Sequence, residues 1–275
     1  MTITVRRMLR GVAAIGFLTA ALVTTVVAIP VREVPIELRG GVVLVPVRVG
    51  KSRILRVILD TGMGFDGVLL YEAPPESTFP GPVYEVKIPG AGTGEPARGR
   101  MSESASFRAG PVEFKSQRLV WLVDSSMSGF PSDGVMGYSL FGHWQVEIDY
   151  DRSKIVLHEP GSFRADSSWT ALPMTLHKNN MPWVKLRTSI DGAESLELDC
   201  YLDLAANDEV VFLVRDNAKF KLPKGLEELV TFMGGHMTTG TGRASNDDAS
   251  AVCGCPRLAP LAPGLRFKSG FIARA

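Results

Sequence analysis

The sequence predicts a mainly β protein, two repeated β lobes preceded by an N-terminal apolar helix. Three observations carry this. Runs of alternating apolar and polar residues recur along the chain at the period of a half-buried strand. Glycine (28) and proline (18) fall largely between those runs, which favours turns and strands over a helical bundle. One order of features, a turn, an apolar strand and then an acid, occurs twice.

The bulk properties fit such a fold and narrow the function. With 275 residues, 45% of them hydrophobic and 21% charged, the chain can bury a substantial core in one large or two modest domains. Its formal charge of +1 provides no general basic or acidic field of the kind that gathers nucleic acid or acidic partners. Of the three cysteines, Cys200 sits in an apolar segment and reads as a core thiol. Cys253 and Cys255 have no nearby histidine to complete a metal site, and no disulfide framework is evident. Neither a metal nor a cofactor is expected.

Arg6, Arg7 and Arg10 precede an uncharged apolar run from Gly11 to Ile29. A basic end followed by such a run has the form of an export signal peptide or a single membrane anchor, and it predicts an amino terminus held in the cytoplasm. Residues 1–30 are therefore set apart. The remainder is expected to be exported, either periplasmic or anchored to the cytoplasmic membrane through the uncleaved segment.

The first lobe is expected over residues 31–160. Val34 to Leu38 and Val43 to Val49 alternate, with turn signals at Arg39-Gly40-Gly41 and Gly50-Lys51-Ser52. Residues 80–110 are poor in large apolar side chains, and the Gly-rich stretch near 89–99 reads as a hairpin tip or lid. It lacks the strand and helix that would make a phosphate loop of it. Val112 to Val123 returns to strand. Trp144 to Tyr150, the polar turn 151–154 and Ile155 to His158 read as a terminal hairpin, and residues 159–170 as a linker.

Within this lobe, Val57-Ile58-Leu59 runs as a buried strand into Asp60-Thr61-Gly62. Asp60 is thus a carboxylate at the lip of an apolar layer, costly there unless it is hydrogen-bonded or used in chemistry. Gly62, Gly64 and Gly67 supply the backbone freedom the turn needs. The tripeptide alone could be only a turn.

The second lobe is expected over residues 171–275. Leu172 to Leu176 echoes Val34 to Leu38, and Val184 to Ile190 echoes the second strand. Asp191-Gly192 echoes the Gly50 turn, and Leu196 to Leu202 leads to Asp203 as Val57 to Leu59 leads to Asp60. Beyond Gly225 the match fades. Gly234 to His236 and Thr238 to Gly242 suggest a loop, and residues 243–275 lack alternating strands, so this lobe is expected to be degenerate or incomplete.

Leu59-Asp60-Thr61-Gly62 resembles the active-site loop of aspartic proteases. Val135-Met136-Gly137 resembles the hydrophobic-hydrophobic-glycine element that packs under that loop, and Phe141 to Leu157 is similar to the closing strands of bacterial retropepsin-like aspartyl proteases. The resemblance covers residues 34–158 well and 172–215 loosely. It implies closed antiparallel β lobes, two of them in one chain or one from each of two chains, with a peptide or protein substrate held beneath a β-hairpin flap. Two facing carboxylates cannot both ionise easily, so such a pair supplies acid and base together and activates a water. In that reading Asp60 and Asp203 are catalytic. Thr61 braces the opposing loop, Gly62 permits its close approach, and Val135, Met136 and Gly137 support the loop from below.

The second loop departs from the pattern, with Leu204 where threonine and Ala205 where glycine would stand. Three readings stay open: Asp203 pairs with Asp60 in one chain, two chains pair their Asp60 loops as a homodimer, or the protein is a weak or inactive peptide-binding relative of the cell envelope. Asp66 and Asp133 read as turn residues. A serine hydrolase is disfavoured by the lack of Gly-x-Ser-x-Gly, and a zinc enzyme by the lack of His-Glu-x-x-His. His143, His158, His177 and His236 form no motif.

Overall fold

The computed structural model describes residues 32–74, 81–88, 96–123, 127, 130–169, 171–177, 180–188, 196–206, 227–233, 236–244 and 251–252. In chain order the strands are β1 (Arg32–Pro35), β2 (Glu37–Arg39), β3 (Val42–Val49), β4 (Leu55–Leu59), β5 (Gly67–Leu70), β6 (Val83–Ile88), β7 (Ala97–Ala109), β8 (Val112–Leu122) and β9 (Gly134–Met136). A single-turn helix, α1 (Tyr138–Phe141), separates these from β10 (Gln145–Asp149), β11 (Lys154–His158), β12 (Met174–Leu176), β13 (Pro182–Thr188) and β14 (Leu196–Tyr201). Last come β15 (Glu227–Met233), β16 (His236–Ala244) and β17 (Ala251–Val252). The fold is mostly β, as the alternation predicts. The expected N-terminal helix lies in residues 1–30, outside the described residues.

Strands β3, β4, β9, β5, β8 and β7 are hydrogen-bonded in that order, and β7 pairs back onto β3 through Val47 opposite Ala109, so six strands close a barrel. Alternation sets its inside. Val45, Val47, Val57, Leu59, Val68, Leu119 and Met136 are fully buried, and Phe107 and Phe114 stack at 4.8 Å between centroids. β1, β11 and β10 form a separate three-stranded sheet whose Val34, Val146, Ile148, Ile155 and Leu157 join the same apolar core.

The consecutive strands β4 and β5 are not neighbours. β9 lies between them, parallel to β4 and antiparallel to β5. The chain from Asp60 to Asp66 must therefore arch over β9 to reach β5. The crossing is tight: a Cβ on Gly134 would drive into the Leu69 carbonyl, and one on Gly137 into the Met63 carbonyl. Asp133, just before β9, ties the region together. Its carboxylate meets the Arg53 guanidinium and accepts from the Arg56 amide at 2.7 Å, and its carbonyl accepts from the Tyr71 amide at 3.0 Å. Burial works against that charge, but the Arg53 bond and the Arg56 amide outweigh it and hold the Asp133 carboxyl below its usual range.

After the first barrel, β12, β13 and β14 form a three-stranded antiparallel sheet, and β15, β16 and β17 another. Several details differ from the sequence reading. Val34 to Leu38 is not one strand. β1 pairs with β11 and β2 with β3, because Pro35 has no N–H to continue the ladder and the Ile36 amide turns to the Ser153 carbonyl at 2.9 Å. Thr238 to Gly242 is strand rather than loop, for its glycines alternate with β-branched threonines and pair with β15. Cys200 is half-buried in β14 rather than in a core. The Gly-rich stretch is a hairpin of β6 on β7 whose tip, residues 89–95, lies outside the described residues, as do the Asp191-Gly192 turn and both Cys253 and Cys255.

Candidate active site

Asp60 leaves the end of β4, where its amide donates to the Met136 carbonyl at 2.9 Å and so joins the loop to β9. Its Oδ1 accepts from the Gly62 amide at 2.6 Å. Asp203 stands just beyond β14, where the Leu202 amide donates to the Pro182 carbonyl at 2.9 Å. Its Oδ1 accepts from the Ala205 amide at 2.9 Å, so each acid is held by the amide two residues ahead of it. Both carboxyls converge on Gly62. A Cβ there would lie 3.0 Å from Asp60 Oδ1 and 3.2 Å from Asp203 Oδ2. The two carboxyls therefore face each other across Gly62, close enough for the charge of Asp203 to disfavour ionisation of Asp60.

Thr61, nearly buried at 9% exposure, joins the two loops. Its hydroxyl donates to the Leu202 carbonyl at 2.6 Å and accepts from the Leu204 amide at 3.0 Å. The reverse brace is absent, since Leu204 has no hydroxyl. Its side chain instead packs against the apolar core of the barrel. Gly137 supports the arch from below, with the Tyr138 amide donating to the Met63 carbonyl at 3.2 Å. Val135 and Met136 place that support through their pairing with β4 and β5.

The electrostatics follow from this packing. Burial, and then the negative charge of Asp203, raise Asp60 to about 7; the amides of Gly62 and Met63 work the other way. Burial, with the Asp60 charge among the lesser causes, pushes the Tyr71 phenol up to about 12. Tyr201 is raised too, by burial and then by the charges of Asp203 and Asp60. Both tyrosines therefore belong to the surroundings of the pair. Tyr71 also sits in a small apolar cluster with Leu122 and Met127, against which Ile88 and Ala97, the paired ends of β6 and β7, are packed.

Every site residue picked from the sequence is thus accounted for. Asp60, Thr61, Gly62 and Asp203 meet, with Val135, Met136 and Gly137 beneath them. Asp66 and Asp133 stay out of the pair. Three of the histidines stand apart from one another: His143 faces the Ser139 carbonyl, His158 faces Glu147, and His177 stacks on Trp183 at 4.6 Å. Among the described residues no group of three or more His, Cys, Asp or Glu could hold a metal ion, and no helix is long and apolar enough to cross a membrane. Sequence reasoning missed Tyr71, Tyr201 and Asn180, whose side-chain amide donates to the Gly64 carbonyl at 2.8 Å. The Asn179-Asn180 dipeptide before Met181-Pro182 is a turn signal, which is the only mark Asn180 carries in the sequence.

No protein-family model matches the chain, and no curated protein matches it.

Proposed function

We propose that this chain is an aspartic endopeptidase that hydrolyses peptide bonds with a water activated between Asp60 and Asp203. The observation that carries the reading is the convergence on Gly62 of two carboxyls from the ends of β4 and β14, their loops joined by the Thr61 hydroxyl, with Asp60 raised to about 7. A pair holding one proton can take a proton from water as it attacks the substrate carbonyl and give one to the carbonyl oxygen. Collapse of the tetrahedral intermediate then breaks the C–N bond and returns a proton to the leaving nitrogen. No metal or cofactor enters this scheme. In this reading Thr61, Gly62, Val135, Met136 and Gly137 support the active-site loop, and the β6–β7 hairpin is the flap over a peptide or protein substrate. Residues 31–160 and 171–275 are the two lobes of one plan, the second reduced. Arg6, Arg7, Arg10 and the apolar run to Ile29 support an exported, periplasmic or membrane-anchored location for the catalytic part.

A second reading, a catalytically weak or inactive peptide-binding protein of the cell envelope, is favoured by one observation. Leu204 stands where a hydroxyl would brace the loops from the second side, so of the two hydroxyl braces only that of Thr61 is made. Acid-denatured casein separates the two. The peptidase reading expects cleavage between about pH 4 and 7 that survives EDTA and vanishes in Asp60→Asn. Cleavage blocked by EDTA but unchanged in Asp60→Asn would end it, and binding without cleavage would favour the second reading.

A further inference from the structure

We propose that Asn180 is a positioning residue for the acid pair: its side-chain amide pins the Gly64 carbonyl and so keeps the Gly62 and Met63 amides on the Asp60 carboxyl. This rests on the reading of Asp60 and Asp203 as the working pair.

The arch from Asp60 to β5 carries glycine at 62 and 64, so its backbone has little conformational preference of its own. Yet two of its amides, those of Gly62 and Met63, must stay aimed at one carboxyl. Something outside the arch has to hold it. The two carbonyls that follow the Met63 amide are each held by a different part of the chain. The Met63 carbonyl accepts from the Tyr138 amide at 3.2 Å, and the Gly64 carbonyl accepts from Asn180 Nδ2 at 2.8 Å. Together these bonds fix the two peptide planes just past the second amide. The first clamp belongs to the barrel. The second comes from the turn between β12 and β13, more than a hundred residues away in sequence.

Asn180 is itself braced for this. Its amide donates to the His177 carbonyl at 2.8 Å, and the His177 amide donates to the Met181 carbonyl at 3.2 Å, so the turn is hydrogen-bonded from within. Its backbone is left-handed, with φ of 60°. Asparagine tolerates that conformation better than most residues, which is a sufficient reason for it only if the side chain does nothing. The side chain reaches across to the arch instead. The turn thus adds a second tie between the two segments, beside the one Thr61 makes.

Loss of this tie would let the arch swing and would weaken the amides that favour the ionised carboxyl of Asp60. The titratable groups that act on Asp60 are Asp203 on the second loop and, through their electrostatic coupling to it, Tyr71 after β5 and Tyr201 on β14. None of these is altered by a change at 180.

Asn180→Gly is the decisive variant, because glycine keeps the left-handed turn while deleting only the amide. In the full chain, the carboxyl carbon of Asp60 is titrated by NMR, its signal assigned by its disappearance in Asp60→Asn. The midpoint is expected to move up by about 0.5 to 1 pH unit in Asn180→Gly, as hydrogen bonds to the charged form are lost. Amide exchange at Gly62 and Met63 is expected to speed up about tenfold, while amides of β4 and β14 are unchanged. With casein as substrate, kcat is expected to fall about tenfold with little change in KM. A variant with the wild-type midpoint and wild-type exchange at those two amides would overturn the proposal and leave Asn180 as a turn residue. If the wild type cleaves nothing yet the midpoint and exchange still shift, the peptidase reading fails and the positioning role of Asn180 stands.

Discussion

Asp60 carries a stability cost that changes with pH. Its carboxyl is raised from 3.8 to about 7 by burial and by Asp203, so the folded state holds its proton more tightly than the unfolded chain does. The folded state is therefore favoured below the ordinary carboxylate range, and that advantage is lost as pH rises through about 7. A gap of this size corresponds to about 4 kcal/mol. Thermal melting of the wild type is expected to fall between about pH 4 and 7 and to level off above it, and Asp60→Asn, which cannot ionise, should lose most of that slope and be the more stable chain at pH 8. Parallel curves for the two proteins would mean that Asp60 is not held protonated. Thr61 offers a separate test. Thr61→Val keeps the shape but leaves the Leu202 carbonyl and the Leu204 amide without their partner. A loss of about 1 to 3 kcal/mol in urea unfolding is expected, with Thr61→Ser near wild type.

At the scale of elements, the short strand β9 decides where the acid points. It fills the gap between β4 and β5, and its end at Gly137 meets the arch so closely that a methyl group would strike the Met63 and Asp60 carbonyls. Backbone cannot yield as a flexible side chain can, so Gly137→Ala is expected to cost about 3 kcal/mol or more in urea unfolding. Met136→Ala should cost about 2 to 5 kcal/mol for a different reason, the cavity left by a fully buried side chain. Val135-Met136-Gly137 was legible in the sequence because it joins an apolar pair to a glycine in a strand-like setting. β7 was not. Apart from Phe107 its inward residues are small or polar (Gly99, Ser102, Ala105), and irregularities between Ser102 and Phe107 break the two-residue period, so it reads as loop although it pairs with β6, β8 and β3. Asn180 was hidden for another reason. A turn asparagine looks the same whether its amide faces water or a distant carbonyl, and only the fold decides which.

Over the whole molecule, the sequence leaves open whether a second acid comes from the same chain or from another copy. Asp203 could be found from the sequence only by its place after a strand at nearly the same offset from a turn as Asp60, because Leu204 and Ala205 beside it do not repeat Thr61-Gly62. In the structure the same chain supplies both acids and the Thr61 bonds between their loops. This arrangement separates the one-chain and two-chain sites experimentally. If Asp203 is half of the pair, Asp203→Asn should lower kcat on casein about a thousandfold or more, as Asp60→Asn does, since acid and base act as one unit. If two chains pair their Asp60 loops, Asp203→Asn should retain activity. The dependence on concentration divides the readings again. A site complete in one chain has a specific activity that does not change on dilution, whereas a site shared between copies loses activity below the dimer dissociation constant. Mixing Asp60→Asn with Asp203→Asn chains should restore nothing, because each carries a broken pair and neither can lend its intact acid to a pair built within a single chain.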